Sequence, residues 1–274
     1  MPELPEVETS RRTLEPLVAG RRIVGLRVGD FPGVLGGDDP AAVEARLAGS
    51  TIERVRRRGK YLLLELDDGT TIEAHLRMTG QLVVVPAGTS PLRFEHLAIA
   101  LDDGQEIRFA DQRKFGRVRH LPEGAADRLE ARLGPEPLSA GFTAAALAAA
   151  VARRPGKIKS VLLDQRLVAG LGNIYVDEAL FLARIHPERA ANSLTEAETR
   201  RLHRVIRAVL RAGIARRGTS FSSYRDARGA SGENQRFLNV YGRARGGRCP
   251  RCGGEIARIV VGGRGTHFCP VCQR

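Results

Sequence analysis

Residues 52–76 read IERVRRRGKYLLLELDDGTTIEAHL. Ile52 and Val55 flank two charged residues, a mostly apolar run fills residues 61–66, and Asp68-Gly69 marks a tight hairpin. Similar short strands are predicted at residues 71–76, 81–85, 96–101, 106–109 and 117–121. Strands that follow one another without intervening helices predict an antiparallel β-sandwich from about Arg22 to Leu121.

Helical sequence flanks this sandwich on both sides. Before it, a helix is predicted at residues 5–15, where Pro5 suits the first turn and Glu6 complements the positive end of the helix dipole. After it, prolines and glycines cluster at residues 122–124 and 134–137, which indicates a linker region. Three helices then follow, at residues 143–153, 174–183 and 195–217, with caps predicted at Thr143 and, in a capping box with Glu198, at Thr195.

The predicted fold is therefore a multidomain α+β protein. An N-terminal helix and antiparallel β-sandwich occupy residues 1–133, and a helical domain occupies residues 134–232. Within the second, residues 218–232 are rich in Ser, Gly and Arg, which predicts a mobile loop. Residues 233–274 return to β-type sequence around the cysteines.

The charge balance points to a polyanionic partner. The chain has 274 residues and a net charge of +13, with 44 Lys plus Arg against 31 Asp plus Glu. Nucleic acid is the first candidate for such a chain, although compositional bias toward Ala, Arg and Gly would also raise the charge. Only four basic residues are lysines, and these mark places where a compact ammonium is preferred to a planar guanidinium: Lys60, Lys114, Lys157 and Lys159.

The sequence also bears on the compartment. No apolar run reaches the roughly 18 residues that a membrane span needs. The N-terminus is acidic and proline-rich and lacks an apolar signal core. We therefore expect a cytoplasmic chain.

The four cysteines form two C-x2-C pairs. Cys249 and Cys252 are separated by sixteen residues from Cys269 and Cys272. This spacing is typical of a zinc ribbon, whereas two disulfides, the alternative, are rare in a cytoplasmic chain. Four thiolates leave no open position, so one structural Zn²⁺ is expected.

The segment between the cysteine pairs predicts a β-hairpin. It turns at Gly262-Gly263 and places Arg264 near its tip. This arginine is either simply solvated or a probe for a phosphate or the minor groove.

The N-terminus carries a possible nucleophile. Removal of Met1 would expose the secondary amine of Pro2, which can attack a sugar carbon and form an iminium. A helix N-terminus disfavours a protonated amine, and Glu3 and Glu6 place carboxyl groups beside it. The alternative is an ordinary frayed terminus.

Sequence blocks along nearly the whole chain resemble the bacterial formamidopyrimidine-DNA glycosylase family, the 8-oxoguanine glycosylases. They occur in the family's order. The blocks are residues 2–9 (PELPEVET), 58–62 (RGKYL), 75–80 (HLRMTG), 111–116 (DQRKFG), 170–175 (GLGNIY), 240–243 (VYGR) and the four-cysteine module.

The resemblance implies a bifunctional glycosylase and abasic-site lyase of base excision repair. Such an enzyme excises 8-oxoguanine and formamidopyrimidines from duplex DNA through a Schiff base and β,δ-elimination. Pro2 would attack C1′ of the damaged nucleotide, Glu3 would be the acid that assists sugar-ring opening, and Glu6 would support the site. The resemblance also assigns Lys60 to the catalytic site, on the phosphates that flank the lesion.

The same resemblance assigns the DNA contacts. His75, Asn173 and Arg264 would complete the phosphate clamp, with Asn173 at the start of the second helix of a helix–two-turns–helix element, and Lys159 would lie near the extruded nucleotide. A base-flipping enzyme must fill the vacated space, a role the family gives to residues matching Met78, Arg113 and Phe115. The alternative makes Met78 and Phe115 core strand residues, but each lies close to a glycine in a turn, which favours exposure.

The predicted mobile loop matches the family segment that closes over the oxidised base. Its backbone amides around residues 221–224 would contact the base, which assigns Phe221, Ser222, Ser223 and Tyr224. Gln112 and Lys114 stand where many relatives have Pro and Arg, which leaves the stiffness of the intercalation loop open.

Two rival functions differ in what they explain. The sister family, endonuclease VIII, prefers oxidised pyrimidines, but its terminus typically has Gly where this chain has Leu4. A non-catalytic zinc-ribbon DNA-binding protein would explain the charge and the cysteines but not Pro2-Glu3 or the intercalating residues. We expect a bacterial, nucleoid-associated monomer that acts on double-stranded DNA with an oxidised purine or an abasic site.

Overall fold

A computed structural model describes residues 2–221, 223–243 and 246–274. Contacts divide the chain into two compact units. The first unit consists of the chain up to Arg132 together with Arg216–Gln235. The second consists of Leu133–Ala215 and Arg236–Arg274. The mobile-loop segment therefore belongs to the first unit, with the sandwich. The division into three domains remains a prediction.

The first unit contains two four-stranded antiparallel sheets, which confirms the predicted sandwich. Their strand orders are β1-β6-β7-β5 and β2-β3-β4-β8. The strands are β1 (Ile23–Val28), β2 (Ile52–Arg58), β3 (Tyr61–Leu66), β4 (Thr71–His75), β5 (Gly80–Pro86), β6 (Glu95–Leu101), β7 (Gln105–Asp111) and β8 (Arg117–Leu121). Apolar side chains of both sheets form one buried core, for example Leu62 and Leu64 from one sheet and Ile99 and Phe109 from the other.

Helix α1 (Leu4–Val18) packs on this core and carries the N-terminus. Its first turn is fixed by a capping box in which Glu3 is the N-cap and Glu6 the reciprocal acceptor. The helix passes the predicted end at residue 15 and continues through Pro16, because Val18 is still buried in the core.

Two short helices in the first unit correct the prediction from sequence. Helix α2 (Pro40–Leu47) and a 3-10 turn at Pro32–Leu35 interrupt a region predicted to hold strands alone. Helix α3 (Ala125–Ala131) lies inside the predicted linker. It buries no residue, so its sequence lacks the apolar periodicity that would have revealed it.

The second unit is helical and ends in a hairpin. Its helices are α4 (Ala144–Ala152), α5 (Ile158–Leu163), α6 (Asn173–Ala183) and α7 (Glu196–Ala215), and its strands are β9 (Ala257–Val261) and β10 (Arg264–Phe268). The predicted caps are confirmed, because the Thr143 side chain accepts from Ala146 N and Thr195 and Glu198 bond reciprocally. Helix α7 ends before the predicted residue 217, where Arg217 and Gly218 both have positive φ. No helix of the described residues is long and apolar enough to cross a membrane.

Candidate active site and nucleic-acid interface

The first turn of α1 gathers the residues predicted for catalysis. Pro2 is buried and directly precedes Glu3, the N-cap of the helix. Glu3 is 1% exposed and Glu6 is fully buried. The Glu3 amide donates to Glu6 Oε2 at 2.8 Å, so the backbone at Glu3 is held by the carboxylate one turn along. Pro2 therefore occupies the positive end of a helix with two carboxyl groups beside it.

The second oxygen of Glu6 holds the predicted lesion loop. Glu6 Oε1 accepts from the Thr219 amide at 2.6 Å, and the backbone carbonyl of Glu6 accepts from the Tyr224 hydroxyl at 3.0 Å. Gly218 has φ +80°, and a Cβ there would lie 2.9 Å from Glu6 Cγ, so the approach requires glycine. Burial and the nearby Glu6 carboxylate raise the pKa of Tyr224. Glu6 thus links the N-terminal turn to the loop, a contact that sequence alone did not reveal.

The loop itself has a bonded stem and a short exposed tip. The Ser220 hydroxyl donates to the Tyr224 carbonyl at 2.9 Å and accepts from the Gly232 amide at 2.9 Å. Phe221 is 56% exposed, whereas Tyr224 is 4% exposed and turns its side chain toward α1. Ser223 is partly exposed, and Ser222 lies outside the described residues.

Lys60 lies in the turn that leads into β3, and His75 ends the neighbouring strand β4 in the first unit. Lys60 follows Gly59, which has φ +56°, in the tight turn between β2 and β3. Tyr61 pairs with His75 across β3 and β4, and their rings meet edge to face at 4.5 Å. The sequence therefore places a cation and an imidazole at the same end of one sheet.

The imidazole of His75 is neutral at physiological pH. Burial, followed by the charges of Arg77 and Lys60, lowers the pKa of His75 to about 3. Its Nδ1 accepts from the Arg77 amide at 3.0 Å, so its proton is on Nε2. His75 can offer a phosphate a hydrogen bond, and Lys60 can offer a positive charge.

The three predicted intercalating residues form one cluster. Arg113 Nη1 lies 3.0 Å from the sulfur of Met78, and its guanidinium carbon lies 4.9 Å from the centre of the Phe115 ring. Phe115 is 49% exposed and Met78 is partly exposed, so the interpretation of these two as core residues is wrong.

Asp111 organises this cluster, a role that sequence analysis missed. It is 1% exposed and accepts from the amides of Arg113 at 3.1 Å, Phe115 at 2.8 Å and Gly116 at 2.7 Å. It also accepts from the Thr79 hydroxyl, beside Met78 in the neighbouring turn. A buried carboxylate thus fixes both turns, although Gln112 and Lys114 stand in one of them. The sequence did offer one signal of this role, since Asp111 is an acidic residue at the end of a strand and directly before a turn.

In the second unit, Asn173 and the hairpin meet. Asn173 is the first residue of α6, and its Nδ2 donates to the Gly265 carbonyl at 2.9 Å. Arg264, adjacent to Gly265, is exposed and follows the turn at Gly262-Gly263. The N-terminus of α6 and the exposed arginine therefore lie at the same place in this unit.

Lys159 has a different environment from the one expected beside a nucleotide. Its side chain is fully buried within the second unit and forms an ion pair with Asp177 at 2.6 Å. A side chain with no exposed surface cannot contact DNA in this conformation.

The four cysteines have the geometry of a tetrahedral metal site. All four sulfurs lie within 4.8 Å of one another, with Cys252 and Cys269 at 3.6 Å and Cys249 and Cys272 at 3.9 Å. A Zn–S bond of about 2.3 Å in a tetrahedron places sulfurs roughly 3.8 Å apart, and a disulfide would need about 2.05 Å. The cysteines are free, so the site is a structural zinc site and the disulfide alternative is wrong.

Comparisons with known proteins agree along the whole chain. Family models match the formamidopyrimidine-DNA glycosylase N-terminal domain at residues 1–118 and the H2TH domain of the same glycosylase at 133–225. The zinc finger found in FPG and IleRS matches residues 246–274.

Similar full-length relatives are known. The formamidopyrimidine-DNA glycosylase of Herpetosiphon aurantiacus is 51% identical, with all of both chains covered. That of Chloroflexus aurantiacus is 50% identical and covers 100% of this chain and 98% of its own. The Lactococcus lactis enzyme, solved non-covalently bound to DNA containing an abasic site, is 40% identical with a TM-score of 0.90 and 99% coverage of both chains. A variant of that enzyme with DNA containing Fapy-dG gives 41% identity, a TM-score of 0.92 and 100% coverage of both.

Proposed function

The chain belongs to the formamidopyrimidine-DNA glycosylase family, and on that premise we propose that it excises oxidised purines from duplex DNA and then cleaves the abasic strand. It is a DNA glycosylase of base excision repair with one structural zinc. The proposal concerns the lesion and the lyase step. The observation that carries it is the buried Pro2-Glu3-Glu6 turn at the start of α1.

The first step forms a covalent bond at residue 2. Once Met1 is removed, the lone pair of the Pro2 amine attacks C1′, and the bond from C1′ to the base breaks with its electron pair leaving on the base. The base takes up a proton as it departs, and the attached nitrogen of Pro2 gives up its own proton and so regains a lone pair. Glu3, whose carboxyl group lies one residue away, donates a proton to the ring oxygen O4′, so the sugar opens and an iminium forms. Glu6 holds the amide of Glu3 at 2.8 Å and so positions this acid.

The iminium then makes strand cleavage possible. It withdraws electrons from the sugar, so a C2′ proton is lost and the 3′ phosphate leaves. A second proton loss expels the 5′ phosphate. Water hydrolyses the remaining iminium and restores the Pro2 amine. These β and δ eliminations need no further nucleophile, so one amine serves both the glycosylase and the lyase.

The remaining site residues serve DNA binding in the proposal. Lys60 contributes a charge to the phosphates beside the lesion, and the neutral His75 contributes a hydrogen bond. Asn173 and Arg264 hold phosphate from the second unit. These contacts position the duplex and carry no sequence information.

The exposed cluster of Met78, Arg113 and Phe115 fills the space left by the extruded base. The Arg113 guanidinium would bond the orphaned cytosine. Backbone amides in the loop tip from Phe221 to Tyr224 would meet the oxidised base. We further propose that the chain acts as a monomer on the double-stranded DNA of the bacterial nucleoid.

Cleavage of duplexes that carry one defined lesion tests the proposal. Each duplex places 8-oxoguanine, a formamidopyrimidine or an oxidised pyrimidine opposite each of the four bases, with and without borohydride. We expect excision of the purine lesions, preferably opposite cytosine, and a borohydride-trapped complex. Faster excision of oxidised pyrimidines would assign the chain the specificity of endonuclease VIII. Binding without excision would make it a non-catalytic DNA-binding protein.

A further inference from the structure

The second unit contains an ion pair that the proposed chemistry does not use. Lys159 on α5 and Asp177 on α6 meet at 2.6 Å, and both side chains are 0% exposed. Burying two charges is unfavourable unless each is closely paired and hydrogen-bonded. A pair buried to this extent therefore depends on the groups around it.

Those surrounding groups belong to strand β10 of the zinc hairpin. The second oxygen of Asp177 accepts from the His267 amide at 2.8 Å. The Lys159 ammonium donates to the Gly265 carbonyl at 3.3 Å, the same carbonyl that accepts from Asn173 at 2.9 Å. Helices α5 and α6 thus hold the strand backbone at two positions, residues 265 and 267.

The hairpin is also held at its tip and at its base. A Cβ on Gly262 in the turn would lie 2.7 Å from the Ser160 hydroxyl, so the turn packs directly on α5. At the other end, Cys249 and Cys269 are buried in a small apolar cluster with Phe181. Zinc therefore secures the base of the hairpin, whereas the ion pair secures the part that carries Arg264.

We propose that Lys159 and Asp177 form a positioning pair that fixes strand β10 so that Arg264 faces a DNA phosphate. Lys159 itself does not touch the DNA. The inference rests on the proposed role of Arg264 in phosphate binding. It replaces the expectation that Lys159 lies beside the extruded nucleotide.

The choice of lysine fits this role. Arginine supplies most of the 44 basic residues, yet this position keeps one of the four lysines. An ammonium has three donors on a compact head, and two of its partners here are the Asp177 carboxylate and the Gly265 carbonyl. A guanidinium is larger and planar and carries five donors. At this fully buried site, an arginine would need more space and more acceptors than a lysine does.

A set of variants separates positioning from direct contact. Lys159→Met removes the ammonium but keeps an unbranched chain, and Lys159→Arg keeps the charge but changes the shape. Lys157→Met is the matched control, because Lys157 is exposed and pairs with Glu188 outside this network. Each is measured alone and combined with Arg264→Ala, for zinc content and for affinity to an undamaged duplex over a range of salt.

We expect Lys159→Met to retain one zinc per chain and to lose as much DNA affinity as Arg264→Ala. Adding Arg264→Ala to Lys159→Met should change the affinity by no more than about twofold, because the contact of Arg264 is already lost in Lys159→Met. Twofold is about the error with which independent effects are found to add. Lys159→Arg should also bind weakly, and Lys157→Met should bind like the wild type.

A second variant covers the case in which Lys159→Met does not fold, since it leaves the Asp177 carboxylate without its cation. Lys159→Met combined with Asp177→Leu replaces the pair by apolar side chains. Proteins often tolerate such a replacement of a buried ion pair without loss of stability. It should keep zinc but bind DNA as weakly as Arg264→Ala.

Three outcomes would overturn the inference. Wild-type affinity in both the single and the double variant would show that the pair positions nothing. Full binding by Lys159→Arg, with losses from Lys159→Met and Arg264→Ala that add, would make Lys159 a direct phosphate contact. Wild-type binding by Arg264→Ala would instead remove the proposed role of Arg264, on which the inference rests.

Discussion

The neutral imidazole of His75 predicts how DNA affinity depends on salt. The two variants are Lys60→Ala, in the turn before β3, and His75→Gln, at the end of the neighbouring strand β4. Each neutralised phosphate releases counterions, so the logarithm of affinity falls with the logarithm of salt by about 0.9 per protein charge. Lys60 is a cation, but burial beside Arg77 and Lys60 holds the pKa of His75 near 3, so this imidazole releases no counterion.

The size of the effect follows directly. Raising salt from about 50 to 200 mM is a fourfold change. Over that range, the ratio of the affinity of the wild type to that of a variant lacking one charge changes by roughly 3.5-fold. The advantage of the wild type over Lys60→Ala should therefore shrink by about 3.5-fold across that range. His75→Gln should bind more weakly at every salt concentration but with the wild-type slope, because a neutral hydrogen bond is lost.

Fluorescence anisotropy on a labelled undamaged duplex, near neutral pH, measures both slopes. Lys157→Met serves as the control, since its charge is already paired with Glu188. A slope for His75→Gln that is reduced as much as that for Lys60→Ala would show that His75 is charged in the complex. The assignment of His75 as a neutral donor would then be wrong.

The lowered pKa of His75 also determines whether the stability of the fold rises or falls with pH. The folded state disfavours the protonated imidazole, whereas in the unfolded chain His75 binds a proton at its ordinary pKa of about 6.5. Its contribution to stability is therefore fully present above about pH 6.5 and falls as the pH drops from 6.5 toward 3. Denaturant unfolding should show a smaller loss of stability over this window in His75→Gln than in the wild type.

Three further changes test the zinc, the intercalating cluster and the N-terminal turn. Cys269→Ala should lose zinc and DNA affinity together because the hairpin unfolds, and full affinity in metal-free protein would contradict this. Arg113→Ala should blunt discrimination by the base opposite the lesion, whereas an equal loss against all four bases would indicate a purely structural arginine. Glu6→Gln can no longer accept from both the Glu3 and Thr219 amides, so denaturant unfolding should show a loss of about 1–3 kcal/mol.

The parts of the fold that depend on local signals were predictable. The turn at Asp68-Gly69 and the caps at Thr143 and Thr195 each follow from residues a few positions apart, and the zinc site follows from two C-x2-C pairs. Helix α3 was missed because it buries nothing, α2 was missed among strands, and the six-residue helix α5 was missed between two longer helices.

Residues that act across long sequence distances could not be assigned from the sequence. Asp111 joins two turns 32 residues apart, and Glu6 reaches Thr219 213 residues along the chain. Lys159 was singled out by its residue type, but sequence shows charge and not burial, so its ion pair with Asp177 was not foreseen. In each case a buried polar group takes its role from partners that only the folded chain brings together.

Borohydride trapping of a variant with one residue added before Pro2 tests most directly whether the Pro2 amine attacks the sugar. The extension turns the amine into an amide whose lone pair is delocalised and not nucleophilic. Wild-type protein should give a reduced complex with the DNA attached at residue 2, located by mass spectrometry of the cross-linked peptide. The extended protein should bind zinc and DNA but neither excise the base nor be trapped. An extended protein that cuts damaged DNA at the normal rate with the extra residue still attached would exclude Pro2 as the nucleophile.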